Sequence, residues 1–460
     1  MPTGDFKDDA VKPIVNNIVQ LRFEDIPKDV IDSATLFILD TIGTALAGST
    51  APGVPAVIDM LRYNGGKKES TIWSFGDRIP AEAAAFANGV MAHARDFDDT
   101  HDAAIVHANT SVLPAALAIS EDIHKTGKEL LTAVVLGVDL ACRMGLAAPS
   151  LGGWIHSSTL GYFGSTAAAC KLAGCSEEQI TNAMGIVYSQ VAGNSQCLIE
   201  GALTKRMQPA FGARAGVFST RLAERGVTGP SRPLEGKYGF FNLYQQGNYS
   251  RERLLSNLGT HFEGINLSMK PYPCCRCTHA PIDTILDIIR EEPIQEENVD
   301  AITVYVPPVV MDFVGKPFEI GPSPQVSAQF SIPYTVATCI IKKDIFIEDF
   351  ADETVVNSPV TELARRIRVV EVPDVENPKA FVPIMMEINL KDGQTITREA
   401  HNIKGSPDNP MTTEEVVNKF RKCNRYAHRQ LPSDNIETLI DLVLSLDRIE
   451  DVAILGTMLR

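Results

Sequence analysis

Several features are absent or scarce in this chain, and each absence narrows what it can do. No run of about 18 consecutive apolar residues, the length that crosses a bilayer, is read in it, so no membrane-spanning segment is expected. Positive charge is short: 42 Lys and Arg stand against 57 Asp and Glu, a formal net charge of −15. That balance argues against nucleic acid and against an anionic membrane as partners. The stretch from Met1 to Lys12 is acidic and polar, with none of the basic and apolar blocks of a secretory signal. Nine cysteines lack regular spacing and read as reduced thiols of a cytoplasmic protein. No Gly-x-Gly-x-x-Gly follows a strand and no P-loop is present, so no dinucleotide or P-loop nucleotide is expected, while a pyridoxal-phosphate lysine would leave no spacing signal. No His-Glu-x-x-His or two-histidine, one-carboxylate spacing stands out either, and no metal is expected.

What is present is concentrated in one stretch. Ala92-His93-Ala94-Arg95-Asp96-Phe97-Asp98-Asp99-Thr100-His101-Asp102, closing on His107, holds three of the nine histidines. Small apolar residues flank it, in Ala81–Gly89 before and Val112–Leu117 after. Helices of small residues pack closely, so a charged insert between them belongs at a helix end facing a cavity. The alternative is a solvated Asp-rich turn, since Asp favours turns. Clusters of carboxylates and imidazoles are where pKa values are pushed toward catalytically useful ones.

Length alone favours two domains at 460 residues. Apolar residues at helical spacing predict helices over 30–47, 55–63, 81–94, 112–124 and 128–144, with Thr71 to Phe75 a short extended piece. Two further polar inserts, Gly152 to Thr159 and Thr204 to Pro209, each precede a small-residue helix, over 161–173 and 210–226. Ser176-Glu177-Glu178-Gln179 and Thr412-Thr413-Glu414-Glu415 are capping boxes. After about residue 262 the texture changes. A helix over 281–292 is followed by strand-like segments at 301–306, 367–370 and 386–390, the last turning through Asp392-Gly393 into 395–398 as a hairpin. Helical texture returns over 412–423 and 435–446. The expected fold is therefore mainly α: a large all-helical domain from 1–267 plus 399–460, with a smaller α+β lid domain inserted over 268–398.

Without a motif for a cofactor, acid–base chemistry remains. The candidates are Asp96, His101, His107, His156, Lys205, Lys270 and His279. A histidine near neutrality can give or take a proton, and Lys or Arg can hold carboxylates and stabilise a developing enolate. Each has a plainer alternative. His156 beside Trp154 reads equally as a core histidine, Lys205-Arg206 as a solvated pair, Lys270 as a surface residue and Thr100 as a helix cap. Cys274, Cys275 and Cys277 read as small buried residues rather than ligands.

Five blocks in order resemble the MmgE/PrpD family. They are Ala85–His107, Trp154–Gly164, Thr204–Gly216 (Thr-Lys-Arg-Met-Gln-Pro-Ala-Phe-Gly-Ala-Arg-Ala-Gly), Lys270–His279, and Gln325–Tyr334. Members dehydrate 2-methylcitrate, decarboxylate cis-aconitate or epimerise iminodisuccinate. The resemblance implies a helical domain built from both ends of the chain, an inserted lid, a homodimer, a site in the cleft between the domains, and no cofactor. It implies that Asp96, Thr100, His107, His156, Lys205 and Lys270 are site residues. Lys205 and Lys270, with Arg206 beside them, would bind substrate carboxylates, and Thr100 and His156 would orient them. His107, held by Asp96, would move the proton. Here His101 follows Thr100, and Ala108-Asn109-Thr110 follows His107; the Trp and His-Pro-Ser of the dehydratases are missing, which favours the decarboxylase-like and epimerase-like members. The expected activity is a lyase acting on a small di- or tricarboxylate. The alternatives are an isomerase in which His101 or Tyr334 joins His107 on the opposite face, and a non-catalytic carboxylate-binding relative.

Overall fold

A computed structural model describes residues 8–148, 152–357, 359–373, 376–377 and 380–460. The first seven residues of the polar amino-terminal stretch lie outside them. The described residues fall into two compact units. One comprises those within Met1–Ile199, Leu203–Met269 and Thr412–Arg460, the other Glu200–Ala202 and Lys270–Met411.

The first unit is helical. It contains α1 (Val11–Gln20), α2 (Lys28–Gly48), α3 (Val54–Asn64), α4 (Ala81–His93), α5 (Asn109–Asp122), α6 (Gly127–Ala147), α7 (His156–Ala173), α8 (Glu177–Tyr188) and α9 (Gln208–Glu224). The extended piece at Thr71 shortens to a two-stranded ribbon, β1 (Ser70–Thr71) antiparallel to β2 (Arg78–Ile79). The expected close packing of small residues is found. A Cβ built on Gly137 of α6 would lie 2.6 Å from the Gly164 carbonyl oxygen of α7, and one on Gly164 as close to the Gly137 carbonyl. The two backbones approach too closely there for any side chain, so the sequence must supply glycine at both positions.

Two elements correct the expectation that no segment is long and apolar enough to cross a membrane. By length and composition α2 and α6 both qualify, yet 72% and 94% of their apolar windows are buried inside the protein. Their charges are matched internally: Arg143 Nε donates to Asp139 Oδ2 at 2.7 Å, one turn away on α6. Both are core helices.

The second unit is α+β. Helix α10 (His279–Glu291) precedes β3 (Val299–Val306), α11 (Ile332–Lys342), β4 (Ile367–Glu371), β5 (Ile384–Leu390) and β6 (Thr395–Ala400). The strand order is β4-β3-β5-β6. β3 and β4 run parallel, with Ile302 opposite Ile367; the Asp392-Gly393 hairpin forms, with Ile388 opposite Ile396 and Gly393 at φ +92°. Val299, Ile302, Val304 and Val306 bury one face of β3 in the core of this unit. Among the described residues, five α-helices lie between β3 and β4 where none was expected. Three of them carry proline in the first turn, at Pro308, Pro324 and Pro333, which the sequence presents as breaks but which suits a first helical turn. The outer break was expected at 399. Strand β6 runs on to Ala400, and the Lys404 backbone N–H donates to Asp283 at 2.8 Å, which keeps the chain with the second unit to Met411.

The carboxyl-terminal helices α12 (Thr413–Asn424) and α13 (Ser433–Leu444) belong to the first unit. Both capping boxes form: the Ser176 and Thr412 side chains accept from the backbones of Gln179 and Glu415.

Candidate active site

The polar inserts are not separate loops preceding helices; they run into the first turns. α7 opens on His156 and α5 on Asn109. The central stretch leaves the carboxyl end of α4 at His93 and reverses through Asp96, whose φ of +54° is left-handed. A non-glycine residue in that region costs energy and persists only where its surroundings hold it. Asp96 is held: its Oδ1 accepts from Lys205 Nζ at 2.5 Å. The reversal brings Asp98 back beneath His93.

Three side chains then meet. His93 Nδ1 lies 2.9 Å and His107 Nδ1 2.8 Å from the same oxygen, Asp98 Oδ2. His107 Nδ1 is also 2.7 Å from the Asp99 carbonyl oxygen. An ionised carboxylate and a carbonyl only accept, so both Nδ1 atoms carry their protons and neutral His107 has its lone pair on Nε2. Asp98 is fully buried and His93 is 4% exposed, while His107 keeps 19% of its side chain open. No described hydrogen bond engages His107 Nε2.

The electrostatics separate the members. Burial pushes His93 down to about 4, against the pull of Asp98, and the Lys205 ammonium lowers it further. Burial alone would raise Asp98, but the two imidazoles hold it well below the usual carboxylate range. Asp99, also buried, is pushed up to about 7 by desolvation and by Asp98. Its Oδ2 accepts from the backbone N–H groups of Ala108 and Asn109, at the start of α5.

The expected support of His107 by Asp96 is therefore corrected: Asp98 holds the imidazole, and Asp96 holds Lys205. Neither His93 nor Asp98 was singled out for this, because spacing along the chain does not show the reversal at Asp96 that joins them. The trio is also a two-histidine, one-carboxylate group, with its three atoms within 4.8 Å of one another. Here the two Nδ1 atoms lie within direct hydrogen-bond distance of Asp98 Oδ2, at 2.9 and 2.8 Å.

The first turn of α7 braces the same loop. His156 Nδ1 donates to the Ala104 carbonyl at 2.9 Å, and Ser157 Oγ accepts from the His107 backbone at 3.0 Å. Thr100 pairs through its backbone with Ser268. His101 does not face this centre as a free acid. Its Nδ1 accepts from the Ala104 N–H at 3.2 Å and its Nε2 lies 3.5 Å from Glu263, an interaction that helps hold Glu263 down to about 2. Arg206 donates to the Pro52 carbonyl at 3.1 Å.

Three candidates belong to the second unit: Lys270, His279 and Tyr334. Lys270 is not a surface residue: it is 1% exposed. Tyr334 lies fully buried in that unit's apolar core, and its hydroxyl donates to the Asp349 carbonyl at 2.5 Å. That bond already uses the proton it was expected to offer. Of the three cysteines expected to be buried, Cys274 and Cys277 are, and Cys275 is half-buried.

The chain belongs to the MmgE/PrpD family, whose two domain models together match most of its length. Residues 12–252 match the MmgE/PrpD N-terminal domain and 272–446 the C-terminal domain. Among curated relatives, the chain is similar to a cis-aconitate decarboxylase-like protein of Aspergillus oryzae, 28% identical over 96% of this chain and 95% of that one. It is similar to the cis-aconitate decarboxylase of Aspergillus terreus, 26% identical over 96% and 94%, and to that of Mus musculus, 28% identical over 96% and 91%.

Proposed function

We propose that the protein is a cofactor-independent lyase acting on a small di- or tricarboxylate, with decarboxylation of a cis-aconitate-like acid the favoured reaction. The observation that carries this reading is the His93–Asp98–His107 arrangement, which fixes one proton on Nδ1 and leaves Nε2 of the more exposed imidazole to exchange another. Loss of carbon dioxide breaks a carbon–carbon bond and leaves its electron pair on carbon, conjugated with a neighbouring carboxylate. That anion must be stabilised and protonated. Lys205 has three donors, of which Asp96 engages one, so its ammonium can hold a substrate carboxylate and stabilise the developing charge. His107 Nε2, when protonated, delivers the proton, and Asp98 stabilises the imidazolium that precedes transfer. Names and nearly full-length similarity of the relatives support the reaction class. The nine thiols, all unbridged, support a cytoplasmic location, and the family resemblance supports a homodimer.

A proton NMR time course in deuterated buffer, with cis-aconitate, 2-methylcitrate, citrate and iminodisuccinate, tests this. A decarboxylated product from one of them is the expected result, lost when Lys205 or His107 is replaced. Water loss from 2-methylcitrate or citrate would move the assignment to dehydratase. Deuterium entering recovered substrate, with loss of neither water nor carbon dioxide, would move it to epimerase. Binding of the acids with no change in any of them would indicate a carboxylate-binding relative.

A further inference from the structure

One buried ion pair of the first unit has no place in the chemistry above. Lys419, on α12, and Asp40, on α2, meet at 2.6 Å with side chains 5% and 0% exposed. The same ammonium donates to the backbone carbonyl of Phe97 at 3.0 Å and stands 3.7 Å from the centroid of the Phe97 ring. Phe97 is fully buried and lies between Asp96, which holds Lys205, and Asp98, which holds both imidazoles. A buried ion pair is a poor source of stability, because desolvation offsets the attraction and an apolar pair of similar volume often does as well. What apolar residues cannot do is donate to a carbonyl.

We propose that Lys419 and Asp40 are positioning residues: the carboxyl-terminal helix fixes the peptide plane between Phe97 and Asp98, and so sets where Asp98 presents its carboxylate to His93 and His107. The ammonium grips the Phe97 carbonyl and ring at the foot of a turn whose preceding residue is left-handed. Asp40, 2.6 Å from the lysine nitrogen, keeps it aimed. Its negative charge also reaches Asp99, adding to the burial and the Asp98 charge that raise that carboxyl. The return of the chain's last fifty residues to the helical unit thereby becomes part of the site rather than packing alone. The consequence for turnover rests on the acid–base reading above; the geometric claim does not.

The test uses the full chain with 15N-labelled histidine, comparing the parent with Lys419→Met/Asp40→Leu and Lys419→Arg. The double variant removes both charges together, so no lone buried charge unfolds it. The expected result is a displaced or broadened pair of imidazole Nδ1–H resonances from His93 and His107, with kcat on the acid identified above at least about tenfold lower and KM little changed. Lys419→Arg, which retains a donor to Phe97, should restore most of both. Imidazole resonances in a folded double variant that coincide with the parent's overturn the proposal whatever the turnover does. Displaced resonances in a protein whose parent turns over none of the acids would uphold the positioning role and sink the lyase reading instead. If the double variant does not fold, Lys419→Arg decides: resonances and kcat near the parent's support the proposal, and displaced resonances with the parent's kcat overturn it.

Discussion

The stretch from Asp96 to His107 and the stretch from Lys270 to Tyr334 use similar residue types, and the structure treats them differently. In the second, polar side chains brace their own backbone. His279 Nε2 lies 3.3 Å from the Cys274 carbonyl, Gln329 Nε2 donates to the Pro273 carbonyl at 2.7 Å, and Tyr334 donates to Asp349. In the first, His101 Nδ1 does the same work on the Ala104 N–H, and its Nε2 stands 3.5 Å from a Glu263 carboxylate oxygen. His107 differs. Its Nδ1 is fixed and its Nε2 is not, in a side chain that is neither buried like His93 nor open to solvent. Residue type does not separate the two histidines; what distinguishes His107 is a ring held through Nδ1 whose side chain stays 19% exposed, against 5% for His101.

The largest test of this contrast is His107→Gln. Glutamine keeps a donor for Asp98 but has no titrating nitrogen. Turnover should fall roughly 10³-fold, within the usual range for removing a general acid or base, with the thermal midpoint within a few degrees of the parent's. The same replacement at His101 should show the opposite balance: lost stability from the unpaired turn and kcat within about threefold. Equal losses of kcat at both positions would erase the distinction between the two imidazoles. Next is Asp98→Asn, which leaves the rings in place without the charge that stabilises an imidazolium. A drop of about 10²-fold in kcat is expected, the low end of what acid–base catalysis by a positioned side chain contributes. An unchanged kcat would mean that the Nδ1 bonds are packing features only.

Much of this was legible in the sequence, and the exceptions have physical causes. The capping boxes at Ser176 and Thr412 and the Asp392-Gly393 hairpin are local signals with local mechanisms, and all three formed. The central stretch stood out by composition. The helices between β3 and β4 did not, because their prolines interrupt the pattern while sitting in first helical turns. The role of Asp98 did not either, because it depends on one left-handed residue two positions earlier, and a carboxylate's partners are fixed by where the chain turns rather than by its neighbours in sequence. Lys419 is the extreme case: it is separated from Phe97 by more than three hundred residues and sits on an ordinary amphipathic helix.

The pH dependence of stability sharpens the comparison within the first stretch. Asp99 titrates at about 7 in the fold and near 3.9 when unfolded. Between those values the folded chain holds a proton that the unfolded chain does not, so this group makes stability fall as pH rises. His93 has the opposite sign. Its folded value of about 4 lies below the unfolded 6.5, so the unfolded chain binds the extra proton and stability rises with pH from about 4 to 6.5. The two slopes nearly cancel in the parent. Asp99→Asn should remove one and leave stability rising by up to about 1.4 kcal/mol per pH unit across that interval. Urea midpoints at several pH values measure it, and parallel slopes in parent and variant would mean that Asp99 is ionised throughout.

The smallest expected effect bears on the second stretch. Tyr334→Phe deletes one hydroxyl from a filled apolar core and leaves the Asp349 carbonyl without that donor. A loss of about 1 kcal/mol in urea unfolding is the ordinary consequence of removing such a bond, and kcat should move by less than about threefold. The ratio of the two effects is what matters. A core tyrosine changes stability and leaves turnover alone; a tyrosine that protonates or orients substrate does the reverse. A large fall in kcat with an unchanged unfolding curve would show that the Asp349 bond opens during turnover, and would return Tyr334 to the acid–base site as the opposite-face group an epimerase needs.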